Sequence, residues 1–316
     1  MPWEWPPNQT VQEAIRVAMQ RLSKDGKRRV TKKHILKVLF LARERLPDGN
    51  SVKQELAYYW YKEGPYSEIV DANIDHMMDA GLVSFHKTDT SQTYKLKPSR
   101  ALKPVASGVD VDLAKDEISQ VAYDNSDVTA AVKSAYRVAP HKWYTTYNRR
   151  FGPRIDRHFE DILAGRTCRH SSQEILSELD DAVLDYPTDP NLMGHRMAFM
   201  DCAKMLNAFL RRESYHTDKD TTEMLQNLCA AVWDVFAYGM RVYHHDPQYD
   251  SRMEKWMAKY NEELHNLDRE TIRSMEVFGD VGVDVPDMSP EMEDLLRHPE
   301  NHVFTPLSLG DVAKGE

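Results

Sequence analysis

Apolar positions along the first hundred residues recur with two different periods. Thr10-Val-Gln-Glu13 has the form of a capping box, and Val11, Ala14, Ile15, Ala18, Met19 and Leu22 share one helical face up to Gly26. A second helix is predicted from Thr31, with Ile35, Leu36, Leu39 and Phe40 inward, ending before the turn signal Pro47-Asp-Gly49. A third is predicted from Ser51, with Gln54 at the capping-box position, running through Val52, Leu56, Tyr59 and Trp60 to Gly64-Pro65. A fourth, capped by Ser67, places Ile69, Ile74, Met77 and Met78 inward and closes at Ala80-Gly81. The period then changes. Leu82 to Phe85 and Thr93 to Leu96 alternate about the polar stretch Thr88 to Gln92, which predicts a β-hairpin. Helices followed by a hairpin is the order of a winged helix.

Beyond the linker-like Lys103 to Gly108 and an exposed polar stretch, Val109 to Asp116, helical spacing returns from Leu113 to Tyr136 and breaks at Ala139-Pro140. Trp143, Tyr144, Tyr147 and Phe151 follow, interleaved with Arg149, Arg150, Arg154 and Arg157. That pattern suits a half-buried helix with snorkelling arginines better than a stack for single-stranded nucleic acid. Further helices are predicted over Ser172 to Leu184, Leu192 to Arg211, Thr217 to Tyr243 and Arg252 to Asn266. The methionines of the second of these (Met193, Met197, Met200, Met205) read as adaptable core. The fold class expected is therefore mainly α, a winged helix followed by an all-α helical bundle. The expected organisation is 1–105 winged-helix-like, 109–275 bundle, and 276–316 an acidic tail with a short helix near 290–298.

Composition narrows the class without naming a reaction. In 316 residues, 41% hydrophobic and 29% charged, no apolar run is long enough to span a membrane, and the first residues lack the order of a signal peptide. Cys168, Cys202 and Cys229 are an odd number with no CxxC pair, which points away from a disulfide scaffold and towards a cytoplasmic protein. The net charge of −9 is unevenly shared. Residues 1–105 carry 18 basic and 12 acidic side chains, whereas 106–316 carry 23 and 38.

The run Tyr58-Tyr-Trp-Tyr-Lys-Glu-Gly-Pro-Tyr-Ser67, then Asn73 to Val83, with Leu36 to Ala42 upstream, resembles the winged-helix core of the Panacea (SocA-like) antitoxins over roughly residues 28–98. The resemblance implies a prokaryotic regulatory, toxin–antitoxin or defence setting. It does not extend to residues 106–316. In a winged helix that reads bases, the helix before the wing enters the major groove. Here that helix holds Glu68, Asp71, Asp75 and Asp79 and no Lys or Arg, and Asn73 alone does not compensate. Positive charge lies elsewhere: Lys24, Lys27, Arg28, Arg29, Lys32 and Lys33 at the first inter-helix turn, and Lys87, Lys95 and Lys97 around the wing. Such a face either grips a nucleic-acid backbone without reading its sequence or docks on the acidic second half.

Four patterns carry candidate chemistry. Glu213-Ser-Tyr-His216 and Glu262-Glu-Leu-His265 match the Glu-x-x-His arrangement of di-metal bundles, but no supporting pair of glutamates is evident. His244-His245-Asp246, with His195 and His216, places several imidazoles in helical order, yet neighbouring histidines point to different sides of a helix, and no metal or other cofactor is expected. Arg211 and His216 resemble the Arg-x4-His motif of HEPN ribonucleases, in which the pair acts on the 2′-hydroxyl and phosphate; a second Arg after Arg211 departs from that pattern. Walker, GxSxG, HExxH and GxGxxG motifs are absent. The leading expectation is a non-catalytic regulatory or defence-associated adaptor, of toxin–antitoxin or antiphage type. It binds another protein or a second copy, and any nucleic-acid contact runs through the backbone. The alternatives are a HEPN-like ribonuclease toxin using Arg211 and His216, and a sequence-specific winged-helix repressor.

Overall fold

The computed structural model describes residues 5–24, 28–88, 92–97, 108–211 and 218–280. The protein is mainly helical, with two small antiparallel sheets. Helix α1 (Gln9–Leu22) is capped by Asn8, whose side chain accepts from the Val11 amide, so Thr10 lies inside the helix and not at its cap. Helices α2 (Lys32–Arg45) and α4 (Glu68–Asp79) begin where the sequence predicts: Thr31 accepts from the His34 amide and Ser67 from the Val70 amide.

The predicted third helix is mostly not helical. Helix α3 (Ser51–Glu55), capped by Asn50, ends after little more than a turn. Strand β2 (Tyr59–Tyr61) then pairs with β3 (Gly64–Tyr66). Leu56, Tyr59 and Trp60 have helical spacing, but an aromatic run packs well on a pleated surface. Gly64, at φ +90°, supplies the turn conformation that other residues resist. The hairpin of β4 (Val83–Lys87) and β5 (Gln92–Leu96) forms as expected, and β1 (Val30–Thr31) adds to it in the order β1-β5-β4.

The second half is a helical bundle. Helix α5 (Val109–Asp124) starts within the stretch expected to be exposed, ahead of Leu113 where helical spacing returns, and Asp127 caps a separate α6 (Val128–Arg137). Helix α7 (Lys142–Thr146) passes through a π turn, Tyr147–Phe151, into α8 (Gly152–Leu163). Pro153 has no N–H to give the preceding turn, and the helix widens so that the Gly152 amide reaches the Tyr147 carbonyl, five residues back. A reciprocal capping box, Ser171 with Glu174, opens α9 (Ser172–Leu184). A 3-10 turn, Pro190–Leu192, leads into α10 (Met193–Arg211); α11 (Lys219–Tyr243) follows, and a second 3-10 turn, Pro247–Arg252, leads into α12 (Met253–Asp280). Helix α12 therefore runs past Glu276, where the tail was expected to begin; the short helix near 290–298 lies outside the described residues. No described helix is long and apolar enough to cross a membrane.

The buried side chains form a single cluster extending from Val11 to Phe278. Helix α5 packs on α1 and α2, and α6 packs on α2. The two halves of the chain are also joined through their backbones. Trp60 N donates to His244 O at 3.0 Å, and Asp246 N donates to Tyr58 O at 2.9 Å. The Asp246 carboxylate accepts from Tyr58 N at 2.6 Å and pairs with Arg43 at 2.5 Å. On the opposite side of β2, the Tyr144 hydroxyl donates to Tyr61 O and accepts from Gly64 N.

Candidate nucleic-acid interface

The β1-β5-β4 sheet brings the basic turn and the wing together. Val30 pairs with Tyr94 and Thr31 with Thr93, while Phe85 pairs with Tyr94 and Ser84 with Lys95. Val30, Tyr94 and Val83 face inward and are buried. The opposite face carries Thr31, Thr93, His86, Ser84 and Lys95, because successive strand residues alternate sides. Extending the β1–β5 register by one residue sets Arg29 opposite Lys95. Two cations across a strand pair repel one another, an arrangement that an anion between them relieves.

Of the nine basic positions named above, six are available to such an anion. Lys24, Arg28, Arg29, Lys87 and Lys97 are exposed and Lys95 is half-buried, and among the described residues none has an acidic partner. Lys24 sits at the end of α1 with φ 49°, and Arg28 N bonds back to Ser23 O at 2.9 Å, which keeps Arg28 beside the helix end. Phe85, 45% exposed, stands at the wing with its ring 5.4 Å from that of Tyr94. Lys27 lies outside the described residues. Lys32 and Lys33 are committed internally, to Asp71 and, at 2.6 Å, to Glu63. Burial works against the Lys32 ammonium, but the hydrogen bond and charge of Asp71 prevail and hold its pKa above the ordinary value.

Helix α4 is turned inward. Its first amide, Glu68 N, donates to the Tyr249 hydroxyl at 3.0 Å, and the Glu68 carboxylate pairs with Arg252 and bonds Tyr59 at 3.0 Å. Asp71 takes Lys32 and the Tyr66 hydroxyl. Asn73 is fully buried and accepts from Asn8 N at 2.8 Å. The end of α4 that a groove-reading helix presents to bases is thus covered by the segment around Tyr249 and Arg252.

A cavity of about 420 Å³ between α2 and the β2–β3 turn also gathers four lysines, Lys32, Lys33, Lys37 and Lys62. It is not an anion pocket, since each ammonium is already satisfied. Lys62 pairs with Asp234 at 2.6 Å, and buried Lys37 donates to the carbonyls of Glu63 and Pro65 at 2.6 and 2.8 Å.

The other sequence candidates are dispersed. Arg211 is exposed and donates to Asn207 at 2.6 Å, and its HEPN partner His216 lies outside the described residues, as does Glu213. Glu262 pairs with Lys259 at 3.1 Å, and His265 is exposed. His195 is buried in the core between the Tyr186 hydroxyl and Val232 O, at 2.5 and 2.7 Å, where desolvation lowers its pKa to about 4. His244 and His245 lie just past the end of α11, in non-helical backbone, and diverge: His245 meets Asp250 at 3.1 Å, and His244 meets His141, which sequence reasoning did not single out. Trp143, Tyr144, Tyr147 and Phe151 are all buried, so they offer no stacking surface, and Arg150 and Arg154 pair with Asp181 and Glu178 at 2.9 and 2.8 Å. The three cysteines are free thiols. Comparison with protein-family models, with curated proteins and with solved structures finds no match to this chain.

Proposed function

We propose that this protein is a non-catalytic regulatory adaptor, of the defence or toxin–antitoxin kind that the resemblance over residues 28–98 suggests, and that it contacts nucleic acid through the phosphate backbone. One observation carries the reading. The sheet sets Arg29 and Lys95 side by side on its outer face without acidic partners among the described residues, while the helix that would read bases carries no Lys or Arg and has its first acids, Glu68 and Asp71, held in internal ion pairs. Phosphates are held by such a face without regard to sequence. On the bundle, Met193 and Met197 stand one turn apart on α10, 40% and 66% exposed, and supply the adaptable apolar surface suited to a protein partner.

Fluorescence anisotropy with several duplexes of unrelated sequence tests this. Affinity is expected to differ little between sequences and to fall with added salt at a slope of about −0.9 per phosphate neutralised. A triple reversal, Arg28→Glu, Arg29→Glu and Lys95→Glu, is expected to abolish binding with the helical circular dichroism unchanged. A preference of about 10³-fold or more for one duplex would instead indicate a specific reader. Absence of binding at low salt would remove the nucleic-acid part of the proposal, and strand cleavage in the same samples would reassign the protein to the enzymes.

A further inference from the structure

Three loops converge at one end of the bundle. His141 is the residue before α7, Asp189 opens the 3-10 turn ahead of α10, and His244 follows the last residue of α11. The Nε2 atoms of His141 and His244 lie 3.0 Å apart, and their rings cross at 79°. An oxygen of Asp189 completes a set of ligand atoms that all lie within 4.8 Å of one another. Among the described residues no other group of three His, Cys, Asp or Glu side chains meets this spacing.

The chemistry of the set is specific. Two imidazoles presenting the same nitrogen to each other, with a carboxylate alongside, are the donors that divalent first-row ions take. Ligands about 2.0–2.1 Å from a tetrahedral ion stand roughly 3.3 Å apart, close to the spacing of the two nitrogens. Each ligand is also held from behind by backbone. His244 N donates to Met240 O at 2.9 Å and its carbonyl accepts from Trp60, while the His141 carbonyl accepts from Tyr144 N at 3.1 Å. The Asp189 carboxylate is oriented through Oδ1, which accepts from Asn191 N at 2.9 Å and Nδ2 at 3.0 Å. All three residues are half-buried.

We propose that His141, His244 and Asp189 form a binding site for a divalent transition ion such as Zn²⁺, with three protein ligands and the remaining position open to water. The ion would tie the loops before α7, before α10 and after α11 to one point. The site is independent of the sheet and stands or falls separately from the nucleic-acid reading.

The test is a titration of chelator-stripped full-length protein with Zn²⁺ against a chromophoric competitor. One equivalent is expected to bind. His141→Ala and His244→Ala are each expected to weaken binding by about 100-fold or more, beyond the loss seen when a mere supporting residue is removed. His265→Ala, an exposed histidine remote from the cluster in the sequence, is expected to bind as the wild type does. Asp189→Asn keeps an acceptor for Asn191 while removing the charge, and is expected to weaken binding without loss of helical circular dichroism. Visible bands of the Co²⁺-loaded protein supply a second readout in case an alanine variant fails to fold. Wild-type binding no tighter than that of His244→Ala, or Co²⁺ bands unchanged in Asp189→Asn, would overturn the proposal.

Discussion

Lys37 shows how much a single side chain can be asked to do. It lies mid-helix on α2, in the apolar run Leu36 to Ala42, and its ammonium closes the β2–β3 turn by donating to Glu63 O and Pro65 O. Burial, reinforced by the neighbouring charge of Lys33 and opposed by Glu63, pulls its pKa from 10.5 down to about 7. Between those two values the unfolded chain binds a proton that the folded chain has released, so this residue makes stability rise with pH across that window. Below it both states carry the ammonium, and the full cost of burying the charge applies. Urea unfolding of the wild type and Lys37→Met between pH 7 and 10 should therefore show the wild type gaining on the variant as pH rises, by up to about 1.4 kcal/mol per unit. A difference between the two that stays constant with pH would contradict the assignment. The sequence shows Lys37 only as an interruption of an apolar stretch. The carbonyls that explain it lie 26 and 28 positions away, across a turn that was read as helix.

Elements were legible where their cause is local. Thr31 and Ser67 cap α2 and α4 as read, because a cap involves only the next three residues. Strands β1, β2 and β3 were missed because each has two or three residues and gains its definition from a partner elsewhere in the chain. The cation face inherits that problem: Arg29 and Lys95 are individually visible, but their juxtaposition depends on the β1–β5 pairing. His141, Asp189 and His244 are harder still, since no periodicity links three loop residues. Helix contacts also set the tolerance of α11. A Cβ added at Gly239 would fall 2.9 Å from Leu192 Cδ2 and 3.2 Å from Tyr260 Cε2. In an open helix Gly→Ala gains about 1 kcal/mol. Here the crowding against Leu192, in the 3-10 turn before α10, and against Tyr260 of α12 should reverse the sign, and Gly239→Ala is expected to cost about 1–3 kcal/mol in chemical denaturation. A stabilised variant would mean that Leu192 and Tyr260 give way easily.

At the scale of the whole molecule, the charge asymmetry that suggested two modules sits on a continuous core. Calorimetry is accordingly expected to show a single cooperative transition, and two resolved transitions would show that the halves unfold separately. Asp246 is the polar link most exposed to test. Asp246→Ala leaves Tyr58 N without its side-chain acceptor and Arg43 with Glu44 alone, and is expected to cost about 1–3 kcal/mol. Asp246→Asn retains an oxygen for Tyr58 and should recover part of that loss. The same link has a consequence during synthesis. Tyr58 N and the Asp246 carboxylate are separated by 188 positions, so on the ribosome β2 emerges long before the segment that covers it. Until residue 246 arrives, the Trp60 amide and Tyr58 carbonyl form an open strand edge in an aromatic run, a surface prone to pairing with another chain. The edge stays open until residue 246 has emerged, so self-association of ribosome-bound chains is expected to fall once synthesis passes that point.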